Sequence, residues 1–369
     1  MPTFRSPWLL PLLLALPASA LAHSVSTELT LGANQRTQQN PRSGFLSDTV
    51  TGVAELSEQV SLNAVVGLTR DNATQVQSGS VFAEHVPRGG TILNGSVGAD
   101  WLPSERWTLG AAVDVSPRST TYSDTTVLFE ENLTGRTAEA DALLRTVSSS
   151  FGLAAFAGWM TGGESDVETA VDGSASLTRF ATTQSVVGIQ TPRGPVSAQQ
   201  VQNHCARATT AAQRAQCRLL QAALEARPSA LAQLRFTAGL TETLFANTDV
   251  GLSASVYVYD KDPTEVGYFS VLAVGRTVSL GNGFPLAPLR FSVRPSVMHR
   301  FGDFWLDGAY QFGRYVDDLG ATHALSVRAQ YRLGKAWRVW LRAGGTADVD
   351  ADGQATRSAT LGGGVRFTF

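Results

Sequence analysis

The chain has 369 residues, 29 Lys and Arg against 31 Asp and Glu for a formal net charge of −2, only 16% charged residues, and 35 glycines. That balance points away from a polyanionic partner, so no nucleic acid is expected. Length alone suggests two soluble domains, but Ser, Thr and Gly interleave with Val, Leu and Ala almost everywhere, which is alternation without long apolar blocks.

Residues 1–22, MPTFRSPWLLPLLLALPASALA, carry one Arg, a short apolar run and Ala20-Leu21-Ala22, and read as a secretory signal peptide cut before His23. No Cys lies near the cut, which argues against a lipid anchor. Beyond it no apolar run approaches the ~18 residues of a membrane-spanning helix.

From residue 23 the period-two pattern resolves into segments of about ten residues at 24–33, 44–56, 59–70, 91–102, 106–116, 139–148, 150–160, 233–244, 248–260, 288–301, 303–316, 323–333, 336–347 and 357–369. These predict about fourteen strands, within a range of twelve to sixteen. The stretch 267–280, GYFSVLAVGRTVSL, is left to a loop or an extra outer hairpin. In 323–333, Leu325, Val327, Ala329, Tyr331 and Leu333 share one face, and Ser326, Arg328, Gln330 and Arg332 the other. The apolar face meets either a second sheet or lipid. The segments exceed the five or six residues usual in soluble proteins. Aromatic residues gather at segment ends: Trp101, Trp107, Trp159, Tyr257, Tyr259, Phe304, Trp305, Tyr315, Trp337, Phe367 and Phe369. Short connections (57–59, 103–106, 148–150, 246–248, 302–303, 334–336) alternate with longer ones (34–43, 71–90, 117–138, 161–232, 261–287, 317–322, 348–356). Together these favour a transmembrane antiparallel up-and-down β-barrel with short periplasmic turns and longer outer loops.

Within 161–232, expected to be an extracellular insertion, residues 196–230 are rich in Ala, Gln, Arg and Leu and lack Gly, which predicts one or two helices. Cys205 and Cys217 are too far apart for a straight helix to bridge. A disulfide between them requires a helical hairpin bent near Thr209-Thr210. The insertion reads as a stapled surface loop, or else as a plug or receptor-binding cap.

The chain ends on ATLGGGVRFTF, with Leu361, Val365, Phe367 and Phe369 in alternation and Gly363 where a larger residue is commoner. This stretch resembles the C-terminal signature of Gram-negative outer-membrane β-barrel proteins. The resemblance implies an outer-membrane location, Phe369 and Phe367 as an assembly signal read by the barrel-assembly machinery, and periplasmic chaperones and outer-membrane lipid as partners. A closed barrel also needs its last strand to pair with its first.

Extending the polar face directs Arg235, Arg290, Arg294, Arg300, Arg328, Arg332, Arg338, Arg342 and Arg366 into the lumen, all from the C-terminal half. The inward acids are Glu28, Glu55, Asp100, Asp114 and Asp141, mostly from the N-terminal half. A basic wall then faces an acidic one. Either these charges pair and hold the barrel's shape, or they bias a water-filled pore toward anions. No cofactor, metal spacing, phosphate-binding loop or Ser-His pairing is visible. Asp317, Asp318 and His323 in VDDLGATH are the only set that invites a rim hydrolase. The expected function is a porin-like pore for small solutes with weak anion preference. The alternative is a non-conducting surface barrel (adhesin, receptor or structural) acting through the insertion.

Overall fold

In a computed structural model, the structure describes residues 23–34, 44–71, 76–77, 84–85, 88–124, 128–131, 136–139, 141–161, 169–191, 194–214, 217, 227–245, 247–263 and 289–369. The expected signal peptide and the stretch 267–280 lie outside the described residues.

Fourteen antiparallel strands form the barrel: β1 (His23–Asn34), β2 (Gly44–Ser57), β3 (Val60–Asp71), β4 (Arg88–Ser104), β5 (Trp107–Asp124), β6 (Asp141–Met160), β7 (Thr169–Thr191), β8 (Arg227–Phe245), β9 (Thr248–Tyr259), β10 (Leu289–Phe301), β11 (Phe304–Tyr315), β12 (Gly320–Leu333), β13 (Trp337–Asp350) and β14 (Ala355–Thr368). Each pairs with its neighbours in sequence, and β14 pairs with β1 from Ser24 opposite Thr368 to Asn34 opposite Ser358. The closing strand is therefore the terminal stretch with the Phe signature. Closure removes the unpaired edges that hydrocarbon could not satisfy.

Two convergent hydrogen bonds tell the two faces apart. Trp340 of β13 donates Nε1–H to Glu28 Oε2 of β1 at 3.0 Å, reaching past β14. Tyr315 of β11 donates to Asp348 Oδ1 of β13 at 2.7 Å, reaching past β12. Side chains converge across an intervening strand only on the concave face, so these residues point into the lumen. The opposite face carries Leu29, Leu31, Leu252, Leu325, Leu341 and Leu361, each at least half exposed in the isolated chain. An apolar belt of that kind on a closed barrel is the surface a bilayer covers. No helix among the described residues is long and apolar enough to cross a membrane, so the spanning elements are the strands.

Two expectations about the middle of the chain are corrected. Residues 139–148 and 150–160 are not two strands joined at Ser148–Ser150. They are one 20-residue strand, β6, which pairs along its length with β5 and β7. Correspondingly, 161–232 is not a single insertion, because Thr169–Thr191 is the 23-residue strand β7. The count of fourteen survives because one strand was split and another missed. The reason is length: ~9–11 residues suffice to cross the membrane, whereas β4 to β7 run to 17, 18, 20 and 23 residues. Their excess continues the barrel wall beyond the bilayer. The β6–β7 connection falls at the short-turn end, and only the β7–β8 connection lies at the other.

In that β7–β8 connection a short strand, Gly194–Ser197, adds to the outer end of β7. Helix α1 (Ala198–Cys205) follows, with a capping box between Ser197 and Gln200. Thr210 starts a second helical turn, its Oγ1 accepting from the Gln213 backbone N–H at 3.2 Å. The chain thus bends at Thr209-Thr210 and the disulfide Cys205–Cys217 closes over a Cα–Cα distance of 5.3 Å. Strand β8 already begins at Arg227, inside the stretch expected to be helical.

Candidate functional site: the charged lumen

Antiparallel partners share a face, so the pairing registers carry the inward assignment round the barrel from Glu28 and Trp340. Glu28 lies opposite Gly364, and Gly364 opposite Trp340. Arg338 opposes both Arg366 and Arg332, and Arg342 opposes Arg328. Arg328 opposes Asp307, Trp305 opposes Arg300, and Arg294 opposes Ser253. On the other side Arg235 opposes Ser176, Asp114 opposes Gly152, Asp100 opposes Ser61, and Glu55 opposes Ser61 from β2. Eight of the nine arginines proposed for the lumen therefore stand on its face, with Glu28, Glu55, Asp100 and Asp114. Arg290 is the extra residue of a bulge between Leu289 and Phe291, so the register assigns it no face. The side chain of Asp141 lies outside the described residues.

The basic wall is not purely basic. Asp307 holds Arg328 Nε at 2.8 Å, Asp303 holds Arg332 Nη2 at 2.7 Å, and Asp249 holds Arg300 Nη2 at 3.3 Å. Asp348 and Asp172 share the inward face as well. Sequence reading misses Asp172 because its strand is taken for part of the insertion, and Asp348 because it falls in the 348–356 connection; alternation along 248–260 and 303–316 finds Asp249, Asp303 and Asp307. The pairs remain wet: the side chains of Arg300, Arg328 and Arg332 are 45–50% exposed despite their carboxylate partners.

Aromatic placement needs a second correction. Trp101, Trp107, Trp159, Phe304, Trp337, Phe367 and Phe369 lie on the outward face at the short-turn end, where a bilayer interface takes aromatic rings. Trp305, Tyr257, Tyr259 and Tyr315 point into the lumen instead, as their registers require. Trp305 is flanked by the guanidinium groups of Arg332 and Arg338, at 5.7 and 5.3 Å from its ring centre. Tyr259 accepts from Gln233 Nε2 at 2.9 Å and donates to the Leu289 carbonyl at 2.9 Å.

Packing inside the barrel is uneven from end to end. Phe45, Ser47, Thr69, Ser150, Phe180, Leu231, Gln233, Ser292, Leu289 and Tyr315 are buried and gather toward the long-loop end, with Ser24, under Arg366, the buried inward exception at the short-turn end. The transition is sharp along single strands. On β8 Leu231 and Gln233 are buried while Arg235 is exposed; on β10 Ser292 is buried while Arg294 is exposed. The described lumen is thus filled toward the long-loop end and open, charged and arginine-lined toward the short-turn end.

The hydrolase set does not assemble. His323 stands on the outward face, where its Nδ1 meets the Tyr310 hydroxyl at 2.6 Å and its ring packs 5.3 Å from Phe312. Asp318 pairs with Arg314 at 2.9 Å, in a tight turn where Asp317 and Asp318 both have positive φ. His299 also faces outward, bonded through Nδ1 to the Thr248 hydroxyl at 2.7 Å. Among the described residues no group of three or more His, Cys, Asp or Glu could hold a metal ion.

No protein-family model matches the chain, and no curated protein matches it in sequence. Solved structures do resemble it. A deltaS2 mutant of the monoaromatic hydrocarbon channel TodX is 10% identical, with 94% of this chain and 89% of that one covered and a TM-score of 0.54. The toluene transporter TodX of Pseudomonas putida is 9% identical over 95% and 90%, with a TM-score of 0.50. A FadL homologue of Pseudomonas aeruginosa is 9% identical over 94% and 89%, with a TM-score of 0.49. At these identities the likeness is one of fold: the chain has the architecture of the Gram-negative outer-membrane β-barrels.

Proposed function

We propose that this barrel is an outer-membrane channel for small solutes, with a weak preference for anions set in its periplasmic half. The observation that carries this reading is the half-exposed state of the inward arginines even where carboxylates hold them. Guanidinium groups so placed line a space that contains water. Charge beside a constriction then favours entry of the opposite sign. Arg294, Arg338 and Arg342 make no ion pair with a carboxylate among the described residues, which leaves net positive potential on that wall. Such a wall is a poor path for a neutral hydrocarbon, so the solutes proposed here differ from the monoaromatic hydrocarbons named for TodX.

The test is a planar-bilayer recording on refolded protein under a potassium chloride gradient. A reversal potential displaced toward that of chloride is expected, and a cation preference refutes the anion assignment. The buried inward cluster toward the outside favours a second reading, a non-conducting surface barrel working through the β7–β8 connection. Folded protein that stays electrically silent, with or without residues 198–217, would decide for it.

A further inference from the structure

We infer that Arg338, flanked by Arg332 and Arg366 and lying over Trp305, forms an oxyanion-binding subsite at the periplasmic mouth of the lumen. The subsite takes the carboxylate or phosphate group of a soluble anion. The inference deepens the channel reading and rests on it only for its biological use, since binding can be measured on a closed barrel.

Three arginines stand side by side on adjacent strands, with Arg332 opposite Arg338 and Arg338 opposite Arg366. Arg338 also lies within electrostatic reach of Arg328 on the next row. Like charges directly opposite one another on a sheet are destabilising, so such a row asks for counter-charge. The chain supplies it unevenly. Arg332 has Asp303 at 2.7 Å. Arg366 donates from Nη2 to the Ser24 hydroxyl at 2.7 Å, a neutral partner. Arg338, in the centre, has no carboxylate partner among the described residues.

Its position is nevertheless defined. The guanidinium lies over the Trp305 ring, 5.3 Å from its centre, and that of Arg332 lies 5.7 Å from the same ring. A cation–π contact leaves the N–H donors of a guanidinium available, and their fork matches the two oxygens of a carboxylate or phosphate. The contact also removes some of the rotamer freedom that binding would otherwise have to remove. The row faces the lumen, away from lipid, so the occupant is a solute and not a headgroup in the surrounding bilayer. Chloride, a sphere, gains nothing from the paired geometry. The subsite should therefore prefer oxyanions over chloride.

The test uses the full barrel refolded in detergent micelles, with inorganic phosphate as probe in a chloride background, followed by calorimetry. Saturable binding is expected. Arg338→Gln should raise the half-saturation concentration roughly tenfold, the loss expected of one bidentate charge-assisted contact. Arg338→Lys keeps the charge and should still lose most of the phosphate affinity while leaving chloride selectivity in bilayers near that of the wild type. Arg314→Gln, at the long-loop end where Arg314 pairs with Asp318, should leave the half-saturation within about twofold. Heat-modifiable gel mobility reports folding of each variant. If Arg338→Gln fails to fold, the Arg338→Lys comparison with wild type carries the decision. No saturable binding to wild type, or equal binding in the Arg338 variants, overturns the subsite and leaves the channel reading standing. Phosphate binding that is lost in the variants of a barrel that never conducts supports the subsite and sinks the channel.

Discussion

Where β14 meets β13 and β1, the Trp340 indole occupies the space beside Gly364 that a side chain would take, while donating to Glu28. A Cβ added at Gly364 would overlap both the Trp340 ring and the backbone carbonyl oxygen of Thr27, neither of which can step aside freely. Gly364→Ala is thus the smallest change that tests whether the closing seam is built round this contact. Forcing one methyl into a packed site costs ~1–3 kcal/mol. Displacing the indole also removes a hydrogen bond to a carboxylate, which contributes ~1.5–3 kcal/mol. Alanine recovers ~0.5–1 kcal/mol relative to glycine in a strand. The net expectation is a loss of ~2–5 kcal/mol. Equilibrium urea unfolding in phospholipid vesicles measures it, with Trp340→Ala and the double variant completing a cycle. In the Trp340→Ala background the cost of Gly364→Ala should fall by at least ~1.5 kcal/mol. A single variant within ~0.5 kcal/mol of wild type, or strictly additive losses, would refute the reasoning.

Reducing Cys205–Cys217 or replacing both residues by Ser should loosen only the β7–β8 connection, by ~3 kcal/mol for a loop of this size. Hydrogen exchange across 198–214 should rise while the urea midpoint of the barrel holds; a shifted midpoint would mean that the stapled segment braces the wall. Asp307→Asn leaves Arg328 uncompensated and should move the reversal potential further toward chloride, whereas Arg328→Gln should move it back. One unit charge at ~4 Å in water is worth ~1 kcal/mol, so the permeability ratio should change roughly two- to fivefold. A reversal potential insensitive to both substitutions would place the permeation path elsewhere.

The strands were legible wherever their length matched the bilayer. From β9 to β14 the period-two pattern located each strand to within a few residues, because one face meets lipid for most of its length and must be apolar. Beyond the bilayer that constraint lapses. In β6 and β7, stretches such as Arg145-Thr146-Val147-Ser148 and Ala181-Thr182-Thr183-Gln184 lie in the length beyond what a bilayer crossing needs and read as turn or loop composition. The aromatic residues illustrate a different limit. Proximity to a segment end puts Trp305 and Trp337 in one group, yet a single step of alternation separates the lipid interface from the lumen. That Asp303 and Asp307 hold Arg332 and Arg328 is not legible in the sequence, because ion pairing across strands depends on register, which a single strand's pattern does not contain.

Packing and charge inside the barrel follow from one constraint. Eight strands enclose just enough room for side chains, and sixteen leave an aqueous channel, so fourteen strands can be filled or wet depending on which side chains point inward. Toward the long-loop end the inward positions carry bulky neutral groups such as Phe45, Phe180, Leu231 and Tyr315, and these are buried. Toward the short-turn end they carry arginines, and Arg300, Arg328 and Arg332 keep half-exposed side chains even beside their carboxylate partners. An arginine could not occupy the packed zone without a partner, since an isolated buried charge costs far more than the barrel could offset. The change from Gln233 to Arg235 on β8, and from Ser292 to Arg294 on β10, therefore marks the level at which buried neutral side chains give way to exposed charged ones. On the channel reading proposed above, solute specificity and resistance to flow belong to different ends of the same lumen, the arginine row selecting and the neutral cluster limiting what passes.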